Sequence, residues 1–194
     1  MTEAHLFSIG LALAALSGVR AYLTIFGIGL AGLMGWVELP PMLQLTSSYW
    51  VLGTAGGLAL VEFFADKIPG VDSGWDLLHT LLRIPVGAFL AAATLSPDGH
   101  LGTMALITGG SAALLTHALK SGTRLVINGS PEPASNWTAS LSEDAAALAA
   151  LSLVFAHPLL ALALLLGVLL SVFAVVGLMA RMVYRTLRRD RPLS

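Results

Sequence analysis

Residues 6–37 read LFSIGLALAALSGVRAYLTIFGIGLAGLMGWV. A helix needs about 20 apolar residues to cross the hydrocarbon core of a bilayer, so this stretch is too long for one untilted crossing. Near its middle stands Ser17-Gly18-Val19-Arg20, small residues followed by a cation. Two readings are open. The stretch is one tilted span, or a re-entrant pair of half-helices broken at Ser17-Gly18. Both place it in lipid.

Further apolar runs follow, from Tyr49 to Ala65, from Trp75 to Leu95 before the turn Ser96-Pro97-Asp98-Gly99, and from Leu101 to Leu119. The last two cover Trp137 to Ala156 and Pro158 to Tyr184. These runs are continuous rather than alternating, which argues against a barrel. The expected fold is all-α: a polytopic membrane helix bundle of about six segments, forming one domain over residues 1–194 with a basic tail at 185–194.

Composition agrees. Hydrophobic residues make up 56% of the 194 and charged residues 11%, against about a quarter charged in soluble domains. Mean hydropathy is +0.84. These values exclude a soluble enzyme domain and a disordered chain, and a net charge of -1 gives no basic surface for nucleic acid. Cysteine is absent, so thiolate metal sites and thioether lipid anchors are excluded. The leading MTEAH lacks the basic region of a signal peptide, so the first segment is expected to remain on the mature protein. No cofactor is signalled.

Lys and Arg set orientation. Arg181, Arg185, Arg188, Arg189 and Arg191 follow the last segment, and Lys67, Lys120 and Arg124 fall on the same side when six spans are counted back. The opposite loops carry neither residue type. This predicts a bacterial inner membrane protein with a cytoplasmic C-terminus. The N-terminus is cytoplasmic too if the first segment spans once, and on the other side if it is re-entrant.

Two short internal matches suggest a repeat. Residues 67–75 align with 129–137 through Pro, Ser and Trp, and Ser17-Gly-Val-Arg20 echoes Ser121-Gly-Thr-Arg124. Transporters are often built from such repeats. Small residues at Gly27, Ala31 and Gly35, and at Gly53 and Gly57, form stripes that favour close helix packing.

Charges inside a bilayer cost about 2.5–3.5 kcal/mol each on insertion scales and persist when paired or functional. Glu62 and Asp66 are one turn apart on one face, where two carboxylates suit a cation or a shared proton. Glu143 and Asp144 point to different sectors of their helix. Arg20, the deepest cation of the first segment, is a neutralising partner or marks a broken helix. His117, Lys120, Arg124 and Asn128 form a basic stripe suited to a phosphate headgroup or to opposing carboxylates. Secondary candidates are Asp72 and the stripe Asp76, His79 and Arg83, of which Asp76 and His79 enter the site set. A metal site is not signalled.

The stretches from Ser17 to Thr24, from Val61 to Asp76, Gly122-Thr-Arg124, and from Ser130 to Trp137 followed by Ser142-Glu-Asp144 resemble a bacterial integral-membrane family of unknown function. The resemblance implies a membrane location and no established activity. Glu62 to Lys67 is also similar to the acidic helices of divalent-cation exchangers with repeated halves, with a different spacing. The segment from Ser17 to Tyr22 is similar to the Pro-Gly-Val-Arg segment of a family implicated in moving undecaprenyl phosphate, with Ser17 in place of the proline.

Three functions follow. The first is a small transporter or exchanger that binds a cation or proton on Glu62, Asp66, Glu143 and Asp144. The second is a lipid-phosphate carrier that uses Arg20, Lys120 and Arg124. The third is a structural or assembly subunit whose polar centre fixes helix register. Catalysis is not expected, because no HExxH, GxSxG or phosphate-loop motif occurs. Candidate partners are the bilayer, a cation or proton, an anionic lipid headgroup and a second copy of the chain.

Overall fold

The computed structural model describes residues 2–68, 71–96, 100–128 and 133–189. Six α-helices coincide with the six apolar segments: α1 (Glu3–Leu33), α2 (Tyr49–Ala65), α3 (Val71–Leu95), α4 (Thr103–Asn128), α5 (Pro133–Ala156) and α6 (Pro158–Arg189). A short 3₁₀ helix, Pro41–Ser47, precedes α2 and meets it at 67°. No strand occurs among the described residues. By length and apolarity Glu3–Leu33, Leu78–Leu95 and Trp137–Ala156 each qualify as a membrane span among the described residues, and the bent pair is a fourth if it forms one span rather than a re-entrant loop.

Local chemistry sets the helix ends. The Thr2 hydroxyl accepts from the His5 N–H and starts α1, and the Ser48 hydroxyl accepts from the Val51 N–H and starts α2, as N-cap side chains do. Pro133 and Pro158 open α5 and α6, where a missing N–H costs nothing. Gly35, at φ +68°, turns the chain after α1.

The first segment is not a straight crossing. Arg20 has non-helical dihedrals inside α1, φ -143° and ψ 78°. A straight helix would hold Leu6 and Leu33 about 40 Å apart at 1.5 Å per residue. Instead Leu6, Ile9 and Leu13 line one cavity of 270 Å³ together with Val37, Leu39 and Leu43. Ile28 shares a core cluster with Ile9 and Leu13. Phe155 on α5 faces Leu13 on one side and Leu30 on the other. α1 therefore folds back on itself, and Arg20 is the tip of a helical hairpin. The break lies at Arg20 rather than at Ser17-Gly18. In this re-entrant form the N-terminus shares an end of the molecule with residues 34–48, opposite to Lys67.

Both halves of α1 form the centre, packed by all the other helices. The first half meets α3 and α4 through small residues: a Cβ on Gly18 would overlap Thr116 Oγ1 and the Ala113 carbonyl, and one on Gly87 would overlap the Ala113 Cβ. The Thr116 hydroxyl donates to the Ala15 carbonyl at 2.7 Å across this contact. The expected stripes fare differently. Gly27 packs on Leu151, whereas among the described residues nothing lies within 4 Å of a Cβ built on Gly35, Gly53 or Gly57.

Exposure is inverted relative to a soluble protein. Leu81 (78%), Met104 (76%) and Leu170 (69%) face outward, while Arg20, Glu62, Asp66, Arg83 and Arg124 are buried. Trp36, Tyr49 and Trp50 are exposed at the end where α1 stops and α2 starts, which suits an interfacial aromatic belt.

Candidate functional site

The site is built around the hairpin tip. Arg20 Nη1 pairs with Asp66 Oδ2, and Nη2 lies 2.7 Å from Asp144 Oδ1 and 3.8 Å from Glu143 Oε2. One guanidinium thus joins α1 to the end of α2 and to α5. Asp66 caps α2, its N–H bonded to the Glu62 carbonyl at 3.0 Å. Its Oδ2 also takes Lys120 Nζ at 3.0 Å.

Breaking a helix in lipid frees backbone groups that must find partners. Lys120 donates to the Val19 carbonyl at 3.3 Å, at the C-terminal end of the first half-helix, where the dipole favours a cation. The Thr24 hydroxyl donates to the Arg20 carbonyl at 2.7 Å. The same charged residues that hold the tip in place also satisfy its backbone.

Arg124 forms a two-pronged pair with Glu143, Nε to Oε1 at 2.9 Å and Nη2 to Oε2 at 3.0 Å. Lys67 Nζ lies 3.5 Å from Asp144 Oδ2, donates to the Phe63 carbonyl and the Ser140 hydroxyl, and sits over the Phe63 ring. The adjacent acids Glu143 and Asp144 therefore serve different cations. Both keep some access, with side chains 19% and 16% exposed, while the paired cations are at 2–3%.

A second network adjoins the first. Glu62 Oε1 is 2.5 Å from Arg83 Nη2, and Arg83 Nη1 is 2.9 Å from His117 Nδ1. A guanidinium only donates, so Nδ1 accepts and the ring proton sits on Nε2, facing Thr80 Oγ1 at 2.7 Å. His79 Nδ1 donates to the Trp75 carbonyl at 2.7 Å, and its ring stacks on Trp75 with Tyr22 at its edge.

Arg20, Asp66, Lys120, Arg124, Glu143 and Asp144 thus converge in one cluster. Glu62 and His117 belong to the network beside it, and His79 packs against Trp75 and Tyr22. Glu62 and Asp66, one turn apart, face different cations. The side chains of Asp72, Asp76 and Asn128 lie outside the described residues, as do residues 69–70 and 129–132 of the two aligned windows. Both Arg20 and Arg124, the ends of the echoed tetrapeptides, enter the cluster. Sequence reasoning left Lys67, Arg83 and Ser140 out of the site set. Their signals were present: Arg83 shares a face with His79, and Ser140 lies one turn before Asp144.

Two carboxylate oxygens stand out. Glu62 Oε2 and Asp66 Oδ1 belong to residues 0–1% exposed and have no hydrogen-bond partner among the described residues. An ionised oxygen only accepts, and leaving one buried without a donor costs about 1–3 kcal/mol. Among the described residues no three His, Asp or Glu side chains are placed to hold a metal ion.

Fold and site together define a polytopic α-helical membrane protein with a buried ionic cluster at the tip of a broken helix. A family described as "Domain of unknown function (DUF4126)" matches residues 7–178, and the chain belongs to it. No curated protein and no solved structure matches the chain.

Proposed function

We propose that this chain is a small membrane carrier in which a proton, taken up on the carboxylates around the hairpin tip, is coupled to movement of that tip. One observation supports the reading above the others. Arg20 is both the hinge of α1 and the bridge between Asp66 and Asp144. Charge on those carboxylates holds the hinge, and neutralising them releases it. Intramembrane ionisable groups of this kind mark ion pathways, and broken helices line the sites of secondary transporters. The proton is favoured over a multivalent metal because one carboxylate oxygen suffices to bind it, whereas each carboxylate here is already on a guanidinium or ammonium group. The arginines that close α6 favour a cytoplasmic C-terminus, and on that reading the cluster opens toward the inner leaflet.

The test is proton flux into proteoliposomes, read with an entrapped pH-sensitive dye under an imposed potential. Flux above the protein-free leak is expected, and Asp66→Asn with Asp144→Asn should abolish it. Flux unchanged by the pair, in protein that still folds, overturns the reading. A lowered melting temperature with no flux in either protein returns the cluster to a register-fixing role.

A further inference from the structure

An apolar groove of 570 Å³ runs between the first half of α1, α5 and α6. Its walls include Ala12, Leu16, Ala150, Val154 and Leu165, and its polar lining residues are Thr116 and Glu143. From Glu143 to Val154 the groove follows α5 for about 16 Å at 1.5 Å per residue, and it is lined by too little polar surface for a soluble ligand. Val19, whose carbonyl takes Lys120, also lines it.

The end at Glu143 is electrically distinct. Glu143 is the least buried carboxylate of the cluster, at 19%, and it occupies the fork of Arg124, with Lys120 Nζ 3.9 Å from its Oε2. A carboxylate and a phosphate present the same paired oxygens to a guanidinium. Glu143 also lies six residues, about 9 Å along the axis, inside the span that begins at Trp137. An anion drawn to that depth needs charge compensation from the protein.

We infer that the groove seats one hydrocarbon chain of a phosphate-headed lipid, with the phosphate competing with Glu143 for Arg124 and Lys120. The lipid is an amphiphile matched to an apolar channel that ends at Glu143, behind which Arg124 and Lys120 lie. Glu143 is the resident anion that the phosphate displaces. This site shares Glu143, Lys120 and Arg124 with the charged cluster, and its readout is lipid retention rather than flux.

The full chain in detergent would be mixed with dioleoyl phosphatidic acid or, separately, with dioleoylglycerol, and retained lipid counted by native mass spectrometry. Phosphatidic acid should be retained over dioleoylglycerol. Ala149→Trp fills the groove from an exposed position and should remove that retention without lowering the melting temperature. Glu143→Gln weakens the competitor and should raise retention severalfold. Equal retention of both lipids, as for an annular lipid, overturns the inference. So does phosphatidic acid held equally by the wild type and Ala149→Trp, or retention that falls in Glu143→Gln.

Discussion

The first half of α1 is held in two different ways along its length. From Gly10 to Gly18 it lies against α3 and α4 through glycine and alanine, close enough that an added methyl group would be tight at Gly10 and would overlap its neighbours at Gly18. One turn further, at Val19 and Arg20, the same helix is held by Asp66, Lys120 and Asp144. α4 serves both regions, with Ala113 and Thr116 in the first and Lys120 and Arg124 in the second. The packed region has one arrangement, fixed by shape. The charged region is held by ion pairs. In the proposed function, a helix anchored by size and released by charge acts as the hinge.

Breaking the charged region should have the largest effect. Arg20→Met leaves Asp66 and Asp144 without their shared partner, and removing one member of a buried pair costs about 3–5 kcal/mol. Melting in detergent should drop sharply, and Asp66→Asn with Asp144→Asn added to Arg20→Met should recover part of the loss. Breaking the packed region comes next. Gly18→Ala forces Thr116 and the Ala113 backbone apart, an overpacking of about 1–3 kcal/mol, and no acid-to-amide change should rescue it. Gly53→Ala sharpens the comparison from the other side. Among the described residues nothing lies within 4 Å of its Cβ, so a helical Gly→Ala change there should be neutral or stabilise by about 0.4–1 kcal/mol.

Much of this was legible in the sequence. Apolar run lengths placed all six helices, because lipid demands uninterrupted helical stretches. The charged residues that gather at the tip were also visible as anomalies in those runs. Pairings were not. Spacing put Glu62 and Asp66 on one face of α2, but which cation each meets depends on how α1, α3 and α4 approach. Arg83 therefore passed as a stripe residue although it holds Glu62. A break in α1 was one of two readings, placed at Ser17-Gly18 with Arg20 as its candidate mark. Gly18 is used instead for its lack of a side chain, and the break falls at Arg20, whose side chain and carbonyl are both held by partners. The Gly53 and Gly57 stripe was read as a contact surface from spacing alone, yet no helix of this chain approaches it within the described residues.

The hairpin at Arg20 is the claim on which the rest depends, and a distance measures it directly. The chain has no cysteine, so two spin labels can be placed cleanly at the exposed positions Phe7 and Leu33. Double electron–electron resonance on the full chain in nanodiscs should give a separation clearly shorter than the about 40 Å of an uninterrupted helix. A sharp distribution centred near about 40 Å, the straight-helix value, would contradict the hairpin and with it the hinge.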